Sequence, residues 1–197
     1  MADADRFRGL VEVGREDRFL EYKESAVWND LKDKITKTAL GMVNTRDGGT
    51  IIIGVSERSG QFEAAGMLAA HLTTYSEDTV RDHIHEFADP YVRTELHQFN
   101  QNDKTFVAIV VHAFDDIPVI CKRDGRDLIR GRMYTRAYGK AETCEVPTQA
   151  EMREIIEVAT DKALRRLVQR LSFAGITLAE VAKLSDKAKF EREREGL

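Results

Sequence analysis

The segment Asn44-Thr45-Arg46-Asp47-Gly48-Gly49, followed by the run Thr50 to Val55, constrains the fold more than any other part of the chain. Thr50 to Val55 is continuously apolar rather than alternating, the pattern of a strand covered on both faces. Ahead of it, Leu31, Ile35, Ala39, Met42 and Val43 recur at helical spacing behind Asn29 and Asp30, which can cap a helix. Gly48 and Gly49 end that helix, because glycine accepts the left-handed backbone that helix C-termini favour. A helix feeding directly into a doubly covered strand requires a layered domain. The glycines do not form a phosphate-binding loop: the Gly-Lys-Ser/Thr ending is missing, and the turn runs from helix to strand rather than from strand to helix.

Other elements follow from shorter patterns. Residues 1–15 are polar and are expected to fray. Phe19 to Lys23 reads as a short strand, with Leu20 and Tyr22 on one face and Glu21 and Lys23 on the other. Thr74-Tyr75-Ser76-Glu77 fits a capping box ahead of a helix carrying Val80, Ile84 and Phe87, which stops at Pro90. Val92 to Phe99 and Thr105 to His112 read as strands joined by a turn over Asn100 to Lys104, and Val119 to Lys122 with Leu128 to Arg136 as a hairpin around Asp124-Gly125. Pro147 and Thr148-Gln149-Ala150-Glu151 open the longest helix, with Met152, Ile155, Ile156, Ala159, Ala163, Leu164, Leu167 and Leu171 in register up to Gly175. A last helix starts at Thr177 and decays into an alternating Glu/Arg tail. The order is α+β or mixed α/β.

At 197 residues the chain suits one domain with a short appendage. No apolar run approaches the roughly 18 residues of a membrane span, and Met1 to Leu10 is too charged for a secretory signal. Two cysteines, Cys121 and Cys144, cannot build a disulfide framework or a four-cysteine zinc site, so the expected compartment is a reducing cytoplasm. The histidines show no ligand spacing: His83 and His85, two apart on a helix, do not share a face.

Two segments could carry chemistry. In Glu16-Asp17-Arg18-Phe19-Leu20-Glu21-Tyr22-Lys23, the side chains of Glu21 and Lys23 project together. In phosphodiester cleavage a carboxylate can hold a divalent metal while an ammonium stabilises the phosphate charge. Glu16 joins them only if the chain turns before Glu21. The alternative is a surface ion pair contributing roughly a few tenths of a kcal/mol. At the end of the apolar strand stand Ser56 and Glu57, where site residues often emerge. The second segment, Lys122 to Lys140, holds seven Lys/Arg against two Asp. On a strand, Arg130, Arg132, Tyr134 and Arg136 would line one face, a set suited to phosphate contact and base stacking. The alternative is an edge strand charged against aggregation. Because the net charge is −4, any nucleic-acid contact would be local rather than a coating by charge alone.

Together these residues resemble the Schlafen AlbA-like domain, a nucleic-acid-binding module. The resemblance rests on Glu16 ahead of Leu20-Glu21-Tyr22-Lys23, on a helix leading into Asn44-Thr45 and Gly48-Gly49 with an apolar strand ending at Gly54-Val55, and on Pro118, Gly125 and Tyr134 to Gly139. It spans about residues 10–158, with 159–197 as a C-terminal helical extension. It implies an α+β fold with a mixed, mainly antiparallel sheet flanked by helices. From animal Schlafen proteins it also implies a metal-dependent endoribonuclease acting on tRNA or other structured RNA through three acidic residues and Mg²⁺ or Mn²⁺. Carried over, Glu16 and Glu21 match the first two acids and Glu57 is the candidate third, in a turn where one expected acid is Ser56. Glu16, Glu21 and Glu57 would hold the metal, with Lys23 stabilising charge, and Lys122, Arg123, Arg130, Arg132, Tyr134, Arg136 and Lys140 would bind RNA or DNA. The alternative is a non-catalytic DNA/RNA-binding or regulatory module. The C-terminal helices could pair with a second copy or a protein partner, or Leu164, Leu167 and Leu171 could simply pack on the domain. No membrane contact is expected.

Overall fold

The computed structural model describes residues 2–175. The helix expected from Thr177 lies outside the described residues. The chain divides into two compact units, Met1–Ile156 and Glu157–Leu197. The elements are α1 (Ala2–Glu12), β1 (Leu20–Lys23), α2 (Trp28–Met42), β2 (Gly49–Ile53), β3 (Val55–Arg58), β4 (Gln61–Ala64), α3 (Ala69–Leu72), α4 (Glu77–Phe87), β5 (Ala88–Asp89), β6 (Thr94–Gln101), β7 (Lys104–Val111), β8 (Ile120–Cys121), β9 (Tyr134–Arg136), β10 (Thr143–Glu145) and α5 (Gln149–Phe173). No described helix is long and apolar enough to cross a membrane.

A four-stranded sheet in the order β1-β2-β7-β6 organises the first unit. β1 runs parallel to β2, whereas β2–β7 and β6–β7 are antiparallel, so the fold is α+β with a mixed, mostly antiparallel sheet. Its centre is the Ile51-Ile52-Ile53 run, fully buried as the continuous apolar pattern requires. Alternation sends Leu20, Tyr22, Ile52, Ala108 and Val110 to one face, where they form a single apolar cluster with Phe7 and Val11 of α1. The opposite face turns toward α2, which buries Leu31, Ile35, Ala39 and Met42.

The first residues do not fray. Phe7 and Val11, four apart, are 1% and 7% exposed, and they give α1 an apolar stripe that the charged composition around it obscures. α2 begins at Trp28, one residue before the expected caps, and has no side-chain cap of its own. Instead Trp28 N–H donates to Thr74 Oγ1 at 2.9 Å, so Thr74 serves the start of α2 rather than that of α4. The α4 cap is Ser76, which accepts from Thr79 N–H.

At the end of α2, Gly48 sits at φ +74°, and a Cβ there would lie 2.0 Å from Val111 O, so glycine is obligatory twice over. Gly54, at φ +113°, ends the apolar run, and β3 departs into a hairpin with β4. β6 and β7 turn through Asn102 and Asp103, both left-handed, the two-residue connection whose twist matches paired strands.

Of the hairpin expected over 119–136 only fragments form: Cys121 N–H donates to Arg132 O at 2.8 Å and Gly131 N–H to Cys121 O at 2.7 Å, without a continuous ladder. β8 pairs with β5, Ala88 opposite Cys121, while β9 pairs with β10. No strand runs through 122–133, where turns at 126–127 and 130–131 alternate with irregular backbone and Gly125 bridges Leu128. Periodicity cannot choose between strand partners, and here the more distant ones win. α5 opens with Ala150 N–H donating to Thr148 Oγ1 at 3.1 Å. In the second unit Leu164 and Leu167 are 54% and 53% exposed.

Candidate nucleic-acid interface

β1 brings the motif residues to the α2 side of the sheet. Leu20 and Tyr22 occupy the apolar cluster, so Glu21 and Lys23 project from the other face. Before the strand the chain turns: Phe19 N–H donates to Asp17 Oδ1 at 2.6 Å and Asp17 N–H to Leu20 O at 3.1 Å. That turn returns Glu16, whose Oε1 accepts from Tyr22 N–H at 2.7 Å. Glu16 and Glu21 therefore converge despite their spacing.

Glu21 does not stand free. Lys23 Nζ donates to its Oε1, and Arg136 Nη1 of β9 approaches Oε2 at 2.9 Å as an ion pair whose N–H is not aligned for a hydrogen bond. Arg136 is 1% exposed and also donates to Thr143 Oγ1 at 3.2 Å and to Asp17 O at 2.8 Å. Arg136 O accepts from Arg18 Nε at 2.9 Å, and Arg18 grips the Glu154 carboxylate with both terminal nitrogens. Glu21 and Glu154 are thus neutralised by Lys23, Arg136 and Arg18 in a largely buried network, with Glu16 beside it. Burial, reinforced by the nearby Glu21 charge, pushes the Glu16 carboxyl above its ordinary 4.5, against the Tyr22 N–H bond and the Lys23 and Arg136 charges. Burial also opposes the Glu154 charge, but the Arg18 fork outweighs it and holds that carboxyl low.

The raised Glu16 has a testable consequence. A carboxyl raised on folding contributes its full stability below about pH 4.5 and loses it as pH rises through the folded value. Glu16→Gln keeps an acceptor for Tyr22 N–H while removing the charge. Its urea midpoint is expected to exceed that of wild type at pH 7 and to match it well below pH 4.5. A lower midpoint at both pH values would contradict this account.

The structure separates the three carboxylates expected to hold a metal. β3 alternates Val55 and Glu57 to one side and Ser56 and Arg58 to the other. Val55 belongs to the Leu20/Tyr22 cluster, so Glu57 lies on that side, away from Glu21, and is exposed. Ser56 holds the alternate position, its hydroxyl buried and without a partner. Among the described residues no group of three His, Cys, Asp or Glu could hold a metal. With two acids, one of them engaged by two cations, and a serine in the turn, the donor set does not fit Mg²⁺ or Mn²⁺.

It also corrects the basic strand. Arg130 lies in a turn and Arg132 in irregular backbone, Tyr134 is 3% exposed with its hydroxyl accepting from Ile129 N–H, and Arg136 is buried in the network. Neither Tyr134 nor Arg136 can touch a nucleic acid. Lys122, Arg123, Arg130, Arg132 and Lys140 are exposed. Arg123 pairs with Glu86 at 2.7 Å and Arg132 with Glu145 at 3.4 Å, whereas Lys122, Arg126, Arg130 and Lys140 are in no ion pair among the described residues. Beside them opens a polar cleft of about 330 Å³ lined by Asn29, Asp30, Asp33, Lys34 and Lys37 of α2 with Arg126 and Asp127. Lys34 and Lys37, not anticipated from the sequence, share a helix face three residues apart, and only the fold sets Arg126 in the same cleft.

A model of the family described as Schlafen, AlbA_2 matches residues 16–145. The chain belongs to this family. Membership supports a nucleic-acid-binding domain. No curated protein matches the chain. Among solved structures it is similar to the DIP2311 protein from Corynebacterium diphtheriae, at 17% identity and a TM-score of 0.48, over 78% of this chain and 29% of that protein's length. It is also similar to the N-terminal domain of a RecG-related protein from Nitrosomonas europaea, at 19% identity and a TM-score of 0.45, over 74% of this chain and 95% of that one. In this Schlafen AlbA_2 domain the residues that sequence reasoning overlooked are Arg18, Glu154 and Tyr138. Arg18 stands inside the Glu16–Lys23 motif, but its partners lie more than a hundred residues away.

Proposed function

We propose that this Schlafen AlbA_2 domain binds RNA or DNA without cleaving it, through the turns over 122–132 and the adjoining α2 cleft. The observation that supports the reading is a contrast in charge. Glu21 is neutralised within the fold by Lys23 and Arg136, whereas Lys122, Arg126 and Arg130 stand exposed without ion-pair partners among the described residues, Arg126 lining one cleft with Lys34 and Lys37. Cations free of internal partners are those available to replace counterions along a phosphate backbone. The flanking Asp30, Asp33 and Asp127 limit the contact to a short stretch and disfavour broad coating.

Fluorescence anisotropy with labelled RNA and DNA oligonucleotides over a range of salt tests this. Wild type is expected to bind with affinity that falls steeply with salt. K122A/R126A/R130A is expected to lose at least about tenfold in affinity and to flatten the log–log salt slope by about 2–3, one unit for each phosphate contact removed. An unchanged slope would contradict the assignment of this surface. Incubation of wild type with tRNA and Mn²⁺ checks the other half: Mn²⁺-dependent cleavage that Glu21→Gln abolishes would overturn the non-catalytic reading.

A further inference from the structure

Tyr138 is not absorbed by the fold in the way its neighbours are. It sits in the turn between β9 and β10, which Ala137 N–H closes by donating to Glu142 O at 3.0 Å. Gly139, at φ +72°, follows it with open space around its Cα. The ring is 53% exposed, and the Arg18 guanidinium lies 4.1 Å from its centroid. Three of its five N–H donors are engaged, Nε on Arg136 O and one from each terminal nitrogen on Glu154. The Tyr138 hydroxyl hydrogen-bonds within the same Arg18–Glu154 pair, so its phenol edge is anchored while the ring stays half exposed. The same guanidinium is 5.9 Å from the ring of Phe19, itself 40% exposed. Two partly exposed aromatic rings therefore share one immobilised cation.

We infer that Tyr138 is a stacking platform for an unpaired nucleobase, with Lys140 beside it to meet a flanking phosphate; this rests on the nucleic-acid-binding reading above. A ring backed by a fixed guanidinium presents its outer face with little rotamer freedom left to lose, so little ordering opposes stacking. Base–aromatic stacking tolerates any base but requires one that is out of the duplex stack, which selects single strands, loops and bulges over paired helices. Lys140, two residues on, is exposed and in no ion pair among the described residues.

The test compares wild type, Y138A and Y138F as full chains, by anisotropy on a mixed-sequence single strand and on the matching duplex. Y138A is expected to lose about tenfold or more in single-strand affinity with its salt slope intact, because stacking releases no counterions. Its duplex affinity should stay as in wild type. Y138F, which keeps the ring and loses the hydroxyl, is expected to bind the single strand within about twofold of wild type. Thermal unfolding by circular dichroism verifies that both variants are folded. Single-strand binding by Y138A equal to wild type, or a loss in Y138F as large as in Y138A, overturns the platform while leaving nucleic-acid binding standing. If wild type binds neither oligonucleotide, the underlying reading falls and the platform falls with it.

Discussion

Arg136→Ala is expected to destabilise the protein by about 3–5 kcal/mol, the range for removing one partner of a buried ion pair. Arg136 is 1% exposed, and its guanidinium approaches Glu21 Oε2 at 2.9 Å while donating to Asp17 O and Thr143 Oγ1. Truncation leaves Glu21 buried with Lys23 as its remaining ionic partner, and also orphans the Asp17 carbonyl. For a domain of this size, each kcal/mol lowers the melting temperature by roughly 2–4 °C. The cost arises from the uncompensated charge rather than from any large net value of the pair. E21L/R136M is accordingly expected to recover most of the stability that R136A loses. Urea unfolding of wild type, R136A and the double variant decides the matter. A loss below about 1 kcal/mol in R136A would mean that water reaches this site and the network is not load-sharing.

Asn44→Ala is expected to cost about 3 kcal/mol or more, through backbone groups left without partners. Asn44 is fully buried, and its Nδ2 donates to Val119 O at 2.8 Å and Tyr134 O at 2.9 Å while its Oδ1 accepts from Val119 N–H at 2.8 Å. One side chain at the end of α2 thus ties down the segments leading into β8 and β9. Asn44→Asp separates hydrogen bonding from packing. It preserves shape, yet it sets an acceptor against two carbonyls, and its urea midpoint should fall at least as far as that of N44A. An N44D protein as stable as wild type would show that volume, not donor geometry, holds this junction.

The legible parts of this fold were those whose signal lies within a dozen residues. The three-isoleucine strand, the helix before it, the β6–β7 hairpin and α4 each show a periodicity that local geometry converts directly into a buried face. Glycines 48 and 49 marked their turn because a side chain there would strike Val111 O or Met42. The candidate site was legible in its members but not in their grouping. Glu21 and Lys23 share a face by strand alternation alone. The same alternation, applied to β3 once Gly54 had redirected it, separates Glu57 from Glu21. The α1 stripe was missed because two or three apolar residues among charges resemble a frayed end until a sheet is present to receive them.

By itself, then, the sequence determined the layered core around residues 50–55, the pairing of Glu21 with Lys23 and the concentration of positive charge after Cys121. Tertiary structure alone decided which of those charges face solvent. Arg130 and Arg136 fall on one face of the strand expected over 128–136, yet one is exposed and the other is buried against a carboxylate 115 positions earlier in the chain. Residue type and period are local properties, whereas burial depends on which distant segment arrives alongside. Arg18, Arg136 and Glu154 meet only because the β1 lead-in, β9 and α5 converge. That convergence sets Glu21 and Lys23 in an internal ion network and leaves the turns after Cys121 and the Tyr138 ring exposed.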